Sequence, residues 1–108
     1  MLTPELQKQI VQRARTLISK PECWARTALA EDINGATCPW SSCLAVRFCA
    51  VGALKRAAMD TLGCDMKAAE SAASEVERVR IPTATGLVTV NHMYGHGAVL
   101  ALFDKALA

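Results

Sequence analysis

The sequence contains few aromatic residues and no long apolar run. Phe, Trp and Tyr together make up 5% of the 108 residues, and much of the 52% hydrophobic content is alanine. This composition suits closely packed helices better than a β-sandwich. No apolar run approaches the roughly 18 residues that a membrane-spanning helix needs. The first ten residues are amphipathic, which argues against a secretory signal peptide.

The chain also has little excess charge. Twelve basic and ten acidic residues leave a formal net charge of +2. A nucleic-acid-binding domain usually carries a strong basic footprint, whereas here acidic residues are interspersed with the early arginines. The segment after Gly63 carries several glutamates, which is the wrong charge for a recognition helix. The charge pattern therefore argues against nucleic acid as a partner.

Cysteine, in contrast, is abundant for a chain of this length. The five residues are Cys23, Cys38, Cys43, Cys49 and Cys64. An odd number of cysteines without a secretory signal indicates reduced thiols in the cytoplasm. We expect most of these thiols to be small apolar side chains in the core, as is common for free cysteine.

The longest helix-compatible stretch covers residues 41–62, where apolar residues recur at spacings of three and four. This stripe consists of Val46, Cys49, Ala50, Ala53, Leu54 and Ala57. Ser41 or Ser42 is a suitable N-cap, and Gly63 follows the last helical residue. Gly52 costs about 1 kcal/mol relative to alanine inside a helix. We therefore expect another helix to pass closely over it, so that the central helix is buried on more than one side.

Helical periodicity predicts four further helices. They cover residues 4–20, 22–30, 66–80 and 97–107. Residues 31–40 are predicted to form a loop, because their Asn-Gly and Cys-Pro pairs are turn signals. Residues 81–95 are predicted to be irregular or extended, because their threonine- and valine-rich part has no evident partner strand. The sequence thus predicts one all-α domain over residues 1–108, a compact bundle of about five helices around the central one.

A pattern of widely spaced residues covers most of the chain. It comprises Trp24, Ala28, Ala30, residues 45–54, Asn91, His96 and residues 99–106. The pattern resembles a family of small bacterial and phage-encoded proteins known only as a domain of unknown function. That family usually has Trp-Asn-Asp where this chain has Val90-Asn91-His92, so an acid-dependent role does not carry over to this position. The resemblance implies a helical fold and a bacterial or phage source, and it implies no activity.

One catalytic hypothesis pairs Cys49 with His96. A nucleophilic thiol needs a lowered pKa, which a helix N-terminus or a neighbouring protonated histidine can supply. His96 is the candidate base, and Asn91 is the residue that would orient its ring, as in a Cys-His-Asn triad. Against this hypothesis, Cys49 lies on the apolar stripe and inside the predicted helix. The competing interpretation is that Cys49 packs against the last helix, while His96 either caps that helix or hydrogen-bonds to the loop backbone.

Zinc binding is a second hypothesis. The candidate ligands are Cys38, Cys43, His92 and His96, with Cys49 as a further soft ligand. Structural zinc sites usually contain two cysteines separated by two to four residues. Four residues separate Cys38 from Cys43 and three separate the histidines. This spacing permits a site without specifying one.

The remaining class is a non-enzymatic module that binds, regulates or inhibits a protein partner. The loops at residues 31–40 and 91–97 are the surfaces that such a domain would present. We take this as the preferred function, for a cytoplasmic monomer or homodimer without a cofactor. The alternatives are a thiol enzyme built on Cys49 and His96, and a zinc-binding module.

Overall fold

Five α-helices and one pair of short strands make up the structure, a computed structural model that describes residues 1–108. The helices are α1 (Pro4–Leu17), α2 (Ala50–Leu62), α3 (Met66–Arg80), α4 (Leu87–Tyr94) and α5 (His96–Leu107). A turn of 3₁₀-helix covers Pro21–Cys23, and strands β1 (Ala30–Glu31) and β2 (Arg47–Phe48) pair antiparallel. The predicted compact fold of five helices is confirmed. None of these helices combines the length and the apolar character needed to cross a bilayer.

Helix α2 lies at the centre, between α1 and α3, and also contacts α4. Its buried residues are mainly alanines, whose small side chains let the neighbouring helices approach closely. Larger side chains from the surrounding helices complete the core, including Ile10, Leu87, Val99 and Phe103. The alanine-rich composition thus serves a tightly packed central helix.

The start of this central helix differs from the prediction, which placed it at residue 41. Residues 41–44 form turns, residues 45 and 46 are irregular, and the next two residues belong to β2. The Arg47 guanidinium donates hydrogen bonds to the carbonyls of Glu22 (3.1 Å) and Asp32 (2.8 Å). These contacts distant in sequence, together with pairing to β1, outweigh the helical preference of the segment. The N-cap is therefore Cys49 rather than a serine.

The close approach over Gly52 is present, but it is made by a different element. A Cβ atom at Gly52 would overlap the carbonyl oxygen of Leu29, which belongs to the segment before β1 rather than to a helix. The same oxygen accepts a hydrogen bond from the Cys49 N–H at 3.3 Å. The predicted helix over residues 22–30 is wrong, because only a 3₁₀ turn forms and residues 26–29 follow a bent path that brings Leu29 against the start of α2.

The prediction of an irregular segment over residues 81–95 is correct only for its first part. Gly86 has a φ of +92° and its N–H is bonded to the Thr83 hydroxyl at 2.7 Å. Helix α4 begins directly after this turn and ends at Gly95, whose φ of +90° separates it from α5. Valine and threonine favour strands where a partner strand is present. No partner is present here, and the helix buries Leu87 instead.

Candidate functional sites

Helix α4 separates two depressions of the molecular surface. On one side lies a cavity of about 230 Å³, here called the Cys49 pocket, lined by residues 26–29, Cys49, Val88, Asn91 and His92. On the other side lies an open groove of about 490 Å³ between α4, α5 and the turn at residues 82–85, here called the α4–α5 groove. Residues four apart on a helix share a face. Leu87 and Asn91 thus enter the core, Val88 and His92 line the Cys49 pocket, and Val90 and Tyr94 line the groove.

Asn91 is the buried polar centre between the two depressions, with 2% of its surface exposed. Its Oδ1 accepts hydrogen bonds from the Trp24 indole N–H at 2.7 Å and from the Ala50 N–H at 2.9 Å. Its Nδ2 donates to the carbonyls of Ala25 at 3.1 Å and Arg26 at 2.9 Å. Both side-chain N–H groups and both carbonyl lone pairs are therefore in use. This single side chain joins α4, the start of α2 and the segment after the 3₁₀ turn.

His96 lies at the start of α5 and does not hydrogen-bond with Asn91. Its Nε2 lies 2.6 Å from the carbonyl oxygen of Ile18, just beyond α1. Because a carbonyl oxygen can only accept, this nitrogen carries a proton. The imidazole also packs against the Trp24 ring, with ring centroids 5.5 Å apart and the ring planes tilted by 37°. The hydrogen bond that orients the His96 ring is therefore made to Ile18 and not to Asn91. His96 is also absent from the lining of the Cys49 pocket.

Cys49 stands at the N-terminus of α2, not inside the helix as the sequence predicted. Its Sγ accepts a hydrogen bond from the Gly52 N–H at 3.3 Å, and 7% of the residue is exposed. Burial raises the pKa of the Cys49 thiol above its ordinary value, and this effect outweighs the backbone N–H groups of Gly52, Val51 and Cys49 and the charge of Lys55. The thiol is therefore protonated at neutral pH.

Arg26 provides a fixed cation in the wall of the Cys49 pocket. Its Nη1 donates to the His92 carbonyl at 2.7 Å, and its guanidinium carbon lies 5.0 Å from the centroid of the Trp24 ring. The imidazole of His92 itself is exposed. Arg26 is a site residue that no local pattern in the sequence marks, because its hydrogen-bond acceptor lies on α4.

The structure does not bring the candidate zinc ligands together. No group of three or more His, Cys, Asp or Glu side chains is placed to hold a metal ion. Cys43 is exposed in the turns that precede β2, whereas Cys38 is half-buried and its N–H is bonded to the Ala30 carbonyl at 3.1 Å. All five cysteines are free thiols.

The α4–α5 groove is mostly apolar. Its floor and walls include Val90, Tyr94, Ala98, Ala101 and Leu102, and Lys105 lies at one end. Tyr94 has 70% of its surface exposed. A second depression of about 290 Å³ continues from this end and shares Pro82, Leu102 and Lys105 with the groove. The alanines leave a hollow between larger apolar side chains, a shape that suits the binding of an apolar group.

These features define a small, mostly helical fold that is held together by a buried asparagine network and carries the Cys49 pocket and the open apolar groove between α4 and α5. The chain belongs to a family of unknown function, DUF6197, whose family model matches residues 2–108. The resemblance seen in the sequence is therefore confirmed. No curated protein and no solved structure matches the chain.

Proposed function

We propose that the protein is a non-enzymatic module that binds a protein partner through the α4–α5 groove. The observation that carries this proposal is the exposed apolar lining of the groove, with Tyr94 on one wall and Leu102 on the other. Exposed apolar surface arranged around a hollow is typical of an interaction site. A groove between two helices fits an amphipathic helix that inserts apolar side chains at spacings of three and four.

The structural use of the chemically capable residues also supports binding rather than catalysis. A catalytic group needs a free lone pair or proton within hydrogen-bond reach of the reacting atom. Asn91 makes four hydrogen bonds to the surrounding chain, and the His96 Nε2 is bonded to a carbonyl oxygen. Burial keeps the Cys49 thiol protonated. Asn91 and the His96 Nε2 are thus used in holding the fold, and Cys49 lacks the lowered pKa that a nucleophilic thiol needs.

The proposal includes a cytoplasmic location and a regulatory or inhibitory effect on the partner, in the bacterial or phage setting that the resemblance implies. The five free cysteines support the location, because reducing compartments keep thiols unpaired. Because the proposal gives the protein no catalytic role, the protein acts on its partner by blocking or stabilising the surface that it binds.

Affinity capture with matched variants tests the proposal. Ala101→Arg places a long charged side chain in the groove, and Ala68→Arg makes the same change on the exposed surface of α3. We expect wild-type and Ala68→Arg proteins to retain the same partner from a lysate of the native host, and Ala101→Arg to lose it, as quantified by mass spectrometry. A set of retained proteins that is unaffected by Ala101→Arg would exclude the groove.

A thiol enzyme is the second candidate function, favoured by one observation. Cys49 lies at a helix N-terminus and lines a pocket that also contains Arg26 and His92. Alkylation with iodoacetamide at several pH values, followed by peptide mapping of each cysteine, separates the two functions. Rapid alkylation of Cys49 near pH 6 in the folded protein would favour the enzyme, with His92, which lines the same pocket, as the candidate base. We expect instead a protected Cys49 at that pH. The zinc-binding alternative has no comparable observation in its favour.

A further inference from the structure

The charges beside the α4–α5 groove indicate the chemistry of its partner. We infer that the docking segment is an acidic amphipathic helix, whose apolar side chains fill the groove and whose carboxylates face Lys105 and Arg80. The inference rests on the proposed function and specifies the partner's docking segment. It is carried by two cations, neither of which forms an ion pair within the chain, that lie beside an apolar hollow.

Neither cation forms an ion pair within the chain. The four ion pairs of the structure use Arg13, Arg15, Lys55 and Arg56 as their cations. Arg80 lines the second depression, and its guanidinium donates to the Gln7 Oε1 at 2.8 Å and the Pro4 carbonyl at 3.4 Å, both of which are neutral acceptors. Lys105 is exposed where the α4–α5 groove meets the second depression. Lys105 thus has no ion-pair partner, and Arg80 is linked to a carboxylate, that of Glu75, only through the Gln7 side chain, whose Nε2 donates to the Glu75 Oε2 at 3.2 Å.

No carboxylate lines the α4–α5 groove or the second depression, so no negative charge in their walls offsets Lys105 and Arg80. Asp104 precedes Lys105 in sequence, but its Oδ1 is bonded to the Arg15 Nε at 2.8 Å, on the side of α5 that faces α1. Glu77 lines a separate depression that shares Pro82 and Thr83 with the groove, and its Oε2 accepts a hydrogen bond from the Leu87 N–H at 3.4 Å. A partner with carboxylates beside its apolar face therefore matches the groove better than a neutral or basic one.

A purely structural role for the two cations gives a different expectation. Arg80 lies in the last turn of α3 and Lys105 in the last turn of α5, where a positive charge stabilises the exposed helix carbonyls. If this were their whole role, replacing Lys105 would change the stability of the fold and leave peptide binding unchanged. Binding and stability therefore have to be measured on the same variants.

Selection from a random peptide library displayed on phage, with the folded full-length protein as bait, tests the inference. We expect the enriched peptides to carry net negative charge and apolar residues at helical spacing. The best peptide, labelled with a fluorophore, is then titrated with wild-type protein, Lys105→Glu, Ala101→Arg and the control Lys8→Glu, which reverses a charge on the exposed face of α1. We expect Lys105→Glu to weaken binding about tenfold or more, and Lys8→Glu to leave it within about twofold, because an uncompensated charge acts over a short range in salt.

The remaining outcomes separate the inference from the proposed function. If Ala101→Arg abolishes binding while Lys105→Glu does not, and the peptides are not acidic, the groove is the docking site and the inference about charge is wrong. Binding that survives Ala101→Arg would overturn the groove itself, and with it both proposals. A dimer that forms with rising concentration and is lost in Ala101→Arg would identify a second copy of the chain as the occupant, and would also overturn the acidic partner.

Discussion

The carbonyl oxygen of Leu29 lies directly over Gly52, in the space that a side chain at that position would occupy. The oxygen also accepts the Cys49 N–H. This contact holds the segment before β1 against the first turn of α2, and it thereby forms one wall of the Cys49 pocket. A glycine inside a helix is tolerated here because another backbone occupies the space of the missing side chain.

Gly52→Ala is expected to lower the free energy of unfolding by about 2–3 kcal/mol, because overpacking against backbone cannot be relieved by a side-chain rotation. Gly97→Ala is the matched control. Gly97 lies in α5 with nothing near its missing Cβ, and alanine is the better helix former by about 1 kcal/mol. Urea denaturation followed by circular dichroism gives both values. Equal stability of the Gly52→Ala protein and the wild type would contradict the packing of Leu29.

Local signals in the sequence were sufficient for much of the helical scaffold. The Thr3–Pro4 start of α1, the whole of α3 and the end of α2 at Gly63 follow from caps and periodicity within a few residues. The start of α2 was missed because β2 forms through pairing with a strand some fifteen residues earlier. The register is Ala30 with Phe48 and Glu31 with Arg47, which no local pattern encodes.

The candidate sites were harder to predict than the scaffold, because both depend on α4. The valine and threonine content of residues 83–90 predicts an extended loop, and the glycines and histidines of residues 91–97 predict a second loop, so the sequence does not indicate a helix over residues 87–94. Once the helix is known, the spacing of Val88 and His92, and of Val90 and Tyr94, identifies its two lining faces. The sequence identifies Cys49 and Asn91 as candidates. It does not predict their burial or their hydrogen bonds, because these arise from elements distant in sequence.

Asn91→Ala is expected to destabilise the fold by about 3 kcal/mol or more, because it leaves buried N–H and C=O groups without partners. The unpaired groups would be the Trp24 indole N–H, the Ala50 N–H and two carbonyls. His92→Ala, on the next residue and exposed, serves as the control. Thermal unfolding measures the loss, and the indole N–H resonance of Trp24 reports the hydrogen bond directly. If that resonance is unchanged in Asn91→Ala, Asn91 is not its acceptor.

Cys49→Ser is expected to keep the cap of α2, whereas Cys49→Ala removes it. Serine accepts a hydrogen bond from the helix N–H groups at least as well as a thiol does, and loss of an N-cap costs about 1 kcal/mol. The serine variant should therefore be more stable than the alanine variant by about that amount in urea denaturation. Alanine and serine variants of equal stability would show that the Sγ hydrogen bond to Gly52 contributes little.

The stability of the wild type should fall in alkaline solution more steeply than that of Cys49→Ser. Burial raises the pKa of the Cys49 thiol above its ordinary value of 9.0 in the folded chain. Above pH 9 the unfolded chain loses this proton while the folded chain retains it, so ionisation favours unfolding. The difference in unfolding free energy between the two proteins, measured from pH 7 to pH 10.5, should be constant up to about pH 8 and then shift against the wild type. A constant difference over the whole range would show that the thiol is not desolvated.

Glu75 makes the stability of the fold depend on pH in the acid range, where stability falls as the pH falls. Its Oε2 accepts hydrogen bonds from the Leu2 N–H at 2.8 Å and the Gln7 Nε2 at 3.2 Å, and the first of these is the main reason that the pKa of Glu75 lies below its ordinary value of 4.5. The folded chain therefore holds the carboxylate charged at pH values where the unfolded chain takes up a proton. This contribution to stability is present above pH 4.5 and is lost as the pH falls through the lowered pKa.

Glu75→Gln is expected to remove this part of the acid dependence, since glutamine does not titrate. We expect the unfolding free energy of the variant to fall less between pH 6 and pH 3 than that of the wild type. Glu70→Gln is the control, because Glu70 lies on the same helix and pairs with Lys55 at the surface. Leu2 should also become more mobile in Glu75→Gln at pH 7, because its N–H loses a charged acceptor, and amide hydrogen exchange at that residue measures the change. An acid dependence that is the same in both variants and the wild type would mean that Glu75 does not anchor the N-terminal residues to α3.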